Sequence, residues 1–194
     1  MNIEFNQLCI RNAEKKDCAQ LAKWWNDGKV MAHAGFPNGI RTSATEIEKQ
    51  IANDSDETKR RLVIEYKNTL IGEMCFYVYE NAKYEIGIKI CEFDYQEKGL
   101  GKIILSMLIE ELFQMGAKLI FLDTNLNNTR AQHVYEELGF KRIRIRNDSW
   151  RNQLGELQSS IDYELTKESF CNFKNRLIPI CLTAVLARSV HLNR

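Results

Sequence analysis

One junction constrains this chain more than any other. The β-like run "KYEIGIKIC" (83–91) leads through "YQEKGLGK" (95–102) into the apolar pattern "LGKIILSMLIEELFQM" (100–115), and "KLIFLDT" (118–124) follows as a buried strand. This order predicts a crossover that joins two parallel strands through the helix. The turn carrying Gly99 and Gly101 therefore sits at the carboxyl end of a central strand and the amino end of a helix. Such a helix end leaves about four backbone N–H groups unpaired and carries roughly half a positive charge. It is a ready site for phosphate, and glycine lets the amides approach an oxyanion closely.

The rest of the chain fixes what surrounds that crossover. "QLCIR" (7–11) has strand character, and "KKDCAQLAKWWND" (15–27) gathers Cys18, Leu21, Ala22 and Trp25 on one helical face. After the glycine- and proline-bearing stretch 28–42, "SATE" predicts a capping box between Ser43 and Glu46, opening a helix over about 44–52. Three β-like runs, 60–67, 70–80 and 83–91, are joined by "NT" and "NA" and predict antiparallel neighbours. Beyond the long helix, stopped by Gly116, come a helix over 129–138 stopped by Gly139, a strand over 140–146 and a closing strand over 160–166. The order β-α-α-β-β-β-α-β-α-β-β predicts an α/β (α+β) fold with a mixed central sheet, antiparallel in its first half, parallel at the crossover and flanked by about four helices.

Charge and cysteine usage exclude several classes. With 27 basic and 26 acidic side chains among 194 residues the formal charge is +1, so no global field recruits nucleic acid. Six cysteines lack any C-x-x-C pair, three histidines lack ligand spacing, and the start lacks a signal-peptide profile; the expectation is a cytoplasmic protein with free thiols and no metal. The longest apolar run, "LIPICLTAVLA" (177–187), is too short to span a bilayer and predicts no stable membrane insertion.

Two phosphate motifs fail by spacing. Lys102 is followed by Ile103, with no hydroxyl for magnesium, so the turn is not a Walker loop; position 104 is Ile104, so it is not a dinucleotide fingerprint. "QEKGLGK" (96–102) instead resembles the Q/R-x-x-G-x-G/A signature of the GNAT superfamily of acyl-CoA-dependent N-acetyltransferases, and "NNTRAQHVYEELGFKR" (127–142) resembles its second segment, N-x-x-A followed by Y-E-x-x-G-F. Both stand in the superfamily's order and spacing, and the likeness covers about residues 7–168. "EIGIKI" and "DCAQLAKWWND" look most like enzymes acting on ribosomal-protein amino termini and bacterial aminoglycoside N-acetyltransferases.

The resemblance implies acetyl-CoA as co-substrate, with its pyrophosphate on the turn formed by Gln96, Glu97, Lys98, Gly99, Leu100, Gly101 and Lys102. It implies a pantetheine arm paired with the edge of "GIKICEF", an oxyanion met by an amide near Ile90 or Cys91, Asn128 on the pantetheine and Arg130 by the phosphates. Arg130 as an ordinary solvated charge remains an alternative. Tyr135 takes the superfamily's tyrosine position, from which a phenol reaches the CoA sulfur as general acid; packing in the core is its other reading. Glu85 is the preferred base or water-relay carboxylate by the same likeness, with Glu92, Glu73 and Asp123 as rivals. On the acceptor side the expected residues are Trp24, Trp25, His33, Phe36, Tyr79 and Trp150, aromatic groups suited to a cationic amine.

The expected partner is a small amine or a protein N-terminal amine, brought to acetyl-CoA in a ternary complex. A non-catalytic acyl-CoA-binding or regulatory module is the alternative. Residues 1–168 form the expected acetyltransferase domain. The extension 169–194 is basic and apolar, suited to docking on the domain, pairing two chains into a homodimer, or touching a membrane surface; a dispensable extension is the alternative.

Overall fold

The computed structural model describes residues 1–174. Among these, eight strands form one sheet: β1 (Asn2–Phe5), β2 (Leu8–Asn12), β3 (Lys59–Tyr66), β4 (Thr69–Tyr79), β5 (Lys83–Ile90), β6 (Leu119–Asn125), β7 (Lys141–Arg151) and β8 (Leu157–Leu165). Their order is β1-β2-β3-β4-β5-β6-β8-β7, antiparallel except for the parallel β5–β6 pair. Five α-helices accompany them: α1 (Cys18–Asn26), α2 (Gly28–Met31), α3 (Ala44–Ile51), α4 (Leu100–Gln114) and α5 (Thr129–Glu137). The predicted mixed sheet and its crossover are thus present, and α2 adds one short helix to the four expected.

Local chemistry explains most element ends. Ser43 Oγ accepts from the Glu46 amide at 3.2 Å while the Glu46 carboxylate accepts from the Ser43 amide at 2.8 Å, which is the predicted capping box. Helix α4 ends at Gly116, whose φ of 102° suits glycine, and the Ala117 amide returns to Leu112 O at 2.9 Å. The hairpin turns are Lys67–Asn68 and Asn81–Ala82, all four residues at positive φ, which matches the twist of the flanking strands. The first of these lies one residue earlier than the sequence suggested.

Three strands are longer or earlier than their patterns. The chain opens with β1, a four-residue strand paired Asn2↔Arg11 through Phe5↔Leu8, where no strand was expected. Strand β7 runs on to Arg151 and β8 starts at Leu157, because the polar "RNDSWR" continues the hairpin through register shifts at Arg142/Arg144 and Arg146/Trp150.

Each sheet face has its own cover. On one, α4 and α5 pack over Ile10, Ile64, Met74, Phe76, Ile86 and Leu122. Nine α4 residues are buried, nearly all round the helix, each large apolar side chain contributing about 1.5–3 kcal/mol relative to exposure. On the other, α1 and α3 form a smaller cluster of Leu21, Trp24, Trp25, Met31, Ile47 and Val63.

Strand β5 is paired unequally along its two edges. Against β4 it holds register from Tyr79↔Lys83 to Gly72↔Ile90, but against β6 only Lys83, Tyr84 and Glu85 are paired. From Ile86 onward the two strands splay, and the sheet opens into a gap.

The segment after β8 packs back on the domain. The Cys171 amide donates to Leu138 O (2.9 Å), the Phe173 amide to the buried Ser106 hydroxyl (3.0 Å), and Asn172 and Lys174 bond Glu110. Residues 171–174 of the expected extension thus bond to α4 and to the end of α5. The rest of the extension, 175–194, lies outside the described residues.

Candidate active site

The splay opens into a cavity of about 870 Å³ that runs from the glycine turn through the gap to the opposite face of the sheet. That is the size of a ligand pocket rather than a packing defect. Its walls come from β3, β4, β5, β6, α4, α5, the connection after α1 and the β7 residue Trp150.

The glycine turn forms one end. Gly99 takes φ 75° as the residue before α4, and Glu97 also has positive φ at 58°. A Cβ built on Gly101 meets nothing closer than Ile90 Cδ1 at 3.9 Å, so the fold itself does not demand glycine there. The space it leaves lies against the free amides of the first α4 turn, the arrangement an anionic ligand requires. Gln96, Glu97, Gly99, Leu100, Gly101 and Lys102 all line the cavity; Lys98 points elsewhere, its ammonium 5.7 Å from the Tyr95 ring centre. Arg130 bonds Gln96 Oε1 (3.0 Å) and Glu97 Oε1 (3.1 Å), and Lys102 bonds Glu137 (2.7 Å). The turn is thus tied to α5 by two cations that also face the cavity.

Along the free edge, Gln96 Nε2 donates to Ile90 O at 2.7 Å, which shows that this carbonyl faces the gap. Strand alternation turns the Ile88 and Ile90 amides the same way, leaving a row of backbone groups for an extended ligand. Cys91 leaves the oxyanion role the sequence suggested for it: its amide donates to Ile71 O at 2.8 Å, and the residue is 3% exposed in the α1 cluster.

Across the gap, Tyr135 projects from α5 onto the cavity wall between Phe140 and Tyr163, with ring centres 5.8 and 5.7 Å away. Burial first, with the nearby Asp123 and Tyr163, pushes its pKa up to about 12, so it holds its proton at neutral pH. Asn128 caps α5, accepting from the Ala131 amide (3.3 Å), and lines the cavity as well.

The four carboxylates proposed as base fare differently. Asp123 lines the cavity and pairs with Arg146 at 2.5 Å. Glu73 also lines it, but is 2% exposed and saturated by Trp25 Nε1 (2.9 Å), Lys89 Nζ (2.8 Å) and Arg61 Nη1 (3.0 Å). Burial raises its pKa, yet Lys89, Arg61 and the hydrogen bonds outweigh this and hold it below the ordinary value. Glu92 accepts from Trp24 Nε1 (2.8 Å) and Gln20, outside the cavity wall. Glu85 likewise stands outside that wall, where it accepts from the Tyr79 hydroxyl at 2.7 Å.

Of the expected acceptor residues, the structure brings His33 and Trp150 to the cavity. Trp150 covers Gly35 so closely that a Cβ there would fall 2.4 Å from its ring, and Gln153 bonds the Gly35, Asn38 and Gly39 backbone, so the β7–β8 end roofs this face. Trp24 and Trp25 are both buried and give their indole N–H groups to Glu92 and Glu73; Phe36 and Tyr79 are exposed outside the cavity. Sequence reasoning missed Arg61, Lys89, Cys75 and Gly87 on this face. The available signal was a pair of basic residues, Arg61 and Lys89, in strand runs that are otherwise mostly apolar. Among the described residues no group of three metal-ligating side chains occurs.

Comparison with known proteins agrees with this geometry. In solved structures, the spermidine N-acetyltransferase of Vibrio cholerae in complex with CoA and spermine superposes with TM-score 0.75 at 23% identity, covering 84% of this chain and 97% of that one. A ribosomal L7/L12 alpha-N-protein acetyltransferase in complex with CoA gives TM-score 0.75 at 16% identity, covering 86% and 98%. Among curated sequences, the ribosomal protein bS18-alanine N-acetyltransferase of Escherichia coli K12 is 42% identical over 53 residues, which span 27% of this chain and 36% of that relative. The profile of the Acetyltransferase (GNAT) family matches residues 36–140, more than half of the chain and the whole of the crossover with its glycine turn. The chain belongs to the GNAT acetyltransferase family.

Proposed function

We propose that the protein transfers the acetyl group of acetyl-CoA to a primary amine by direct attack within a ternary complex. The observation that carries this reading is the continuous cavity, which joins an anion-binding turn and a free strand edge on one side to an acceptor face on the other, with Tyr135 at the passage between them.

The residues divide the work as follows. The α4 amides and Gly101 receive the pyrophosphate, with Lys102 and Arg130 alongside, while the free edge of β5 pairs with the pantetheine and presents the thioester carbonyl to the Ile88 or Ile90 amide. Asp123 is the carboxylate placed to take the ammonium proton; Glu85 lies at the strand position just before the splay and would act only through water. The amine nitrogen bonds to the acetyl carbon, the oxyanion is held at the β5 amides, and collapse breaks the carbon–sulfur bond. Tyr135 gives its phenolic proton to the departing thiolate, and the second proton on the nitrogen, acidified by bond formation, returns to the tyrosinate through water, leaving the neutral amide, the thiol and one proton on Asp123. The proposed acceptors are a small-molecule amine or a protein N-terminal amine, as the relatives' own names describe for them.

Thiol release from acetyl-CoA across a panel of amines tests the proposal. Turnover on at least one amine supports it. Calorimetric CoA binding without turnover on any amine supports a non-catalytic binding module instead.

A further inference from the structure

We propose that the acceptor carries an anionic group at the far end of an extended body from its reactive amine, and that Arg61 reads that group. The proposal rests on the acetyl-transfer reading above and adds the substrate class to it.

The register of the sheet places four residues in one row across the acceptor face. Arg61 pairs with Cys75 and Cys75 with Gly87, and the Glu85↔Phe121 pair puts Asp123 level with Gly87 on the far side of the gap. All four line the cavity. The middle of the row is small: Gly87 has no side chain, and a Cβ there would already stand 3.0 Å from Cys75 Sγ. Two strand spacings, each about 4.8 Å, separate Arg61 from Gly87, and Asp123 lies beyond the opened gap.

The row's ends differ: one holds the Asp123 carboxylate, which also pairs with Arg146, and the other a guanidinium. At the gap stands Asp123, beside the place where the thioester carbonyl would lie. At the other end the Arg61 guanidinium lies on the Trp25 ring, 4.5 Å from its centre, and uses Nη1 on Glu73. Lys89 bonds the same Glu73, so two cations share one carboxylate. Arg61 Nε and Nη2 have no partner among the described residues, although its side chain is only 21% exposed. A cation with an accessible, unused hydrogen-bonding edge is complementary to a carboxylate, which a guanidinium can grip with two parallel bonds. A polyamine would instead bring a further cation against Arg61 and Lys89. The chemistry therefore favours an extended amine such as a peptide amino terminus, with its ammonium toward Asp123 and an anionic group further along at Arg61.

The experiment compares amines that differ only in carboxylate against carboxamide, using thiol release with acetyl-CoA. The expected result is a preference for the acid in kcat/KM of about tenfold to a hundredfold, carried mainly by KM and reduced by added salt. Arg61→Gln should bring acid and amide close to parity, and Arg61→Lys should restore part of the preference. Equal use of acid and amide by the native protein overturns the inference, as does an unchanged preference in a folded Arg61→Gln protein. Should Arg61→Gln fail to fold, the native preference and the Arg61→Lys response decide. If no amine is turned over, calorimetry of acid and amide on the CoA-loaded protein separates the two ideas. Selective binding of the acid upholds the anion receptor while acetyl transfer fails, and equal or absent binding overturns the receptor.

Discussion

On the glycine-turn side the cavity wall is mostly backbone: the amides of the first α4 turn, the free edge of β5 and the open space at Gly101. On the acceptor side it is side chains, with Arg61, Glu73, Lys89, Asp123 and Trp150 contributed by five strands. A ligand common to many relatives can be held by groups every sequence possesses, so only glycines and caps need be specified. A distinctive acceptor must be read by side chains, and those can change without disturbing the crossover that carries the chemistry.

Four changes would break or sharpen that contrast. The largest effect falls at the passage between the sides: Tyr135→Phe should lower kcat by about 10²-fold to 10⁴-fold while leaving CoA affinity nearly intact, read by steady-state thiol release alongside calorimetry. Next, Glu73→Gln leaves Arg61 and Lys89 without their carboxylate and should cost about 3–5 kcal/mol in denaturant unfolding. The pH dependence has a definite sign. The folded-state pKa of Glu73 is depressed, so its contribution is complete above the ordinary value of 4.5 and is lost as pH falls through the lower folded value. Stability profiles of native and Glu73→Gln proteins should therefore converge on acidification below pH 4.5; parallel profiles would show that the carboxylate adds nothing.

A third change acts on the backbone side. Gly101→Val should raise the KM for acetyl-CoA by about tenfold to a hundredfold with little loss of melting temperature, since its Cβ meets no protein atom within 3.9 Å. An equal fall in stability would mean that the glycine serves the fold rather than a ligand. The smallest effect belongs to Ser43→Ala, which removes one half of the α3 capping box and should lower the melting temperature by about 2–4 °C without touching turnover.

The same contrast governs how much was legible in the sequence. The crossover, the glycine turn, the Ser43 box and the glycine stops are local, and each is written in consecutive residues. Strand β1 was not, because "NIEF" becomes a strand only by pairing with β2. The extension of β7 through Asn147 and Asp148 likewise depends on β8 beside it and on bulges that no alternation announces. Placing Tyr135 and Asn128 at the cavity rested on the likeness of residues 127–142 to the superfamily's second segment. Separating Asp123 from Glu85 needed the point where β5 and β6 part, which is a matter of tertiary pairing that neither strand's own residues announce. For the same reason Trp24 and Trp25, adjacent on one helix, read as pocket aromatics, whereas each indole is spent on a different carboxylate 68 or 48 residues away.

The three paired residues between β5 and β6 also make a mechanical seam. One block holds β1 to β5 and the other holds β6 to β8; the β4–β5 border on one side of the seam carries eight register pairs, and this border carries three. Force applied across the sheet should part it here first. A pantetheine lying along β5 would act as a dowel between the blocks, so the load the fold bears before yielding should rise with the concentration of CoA.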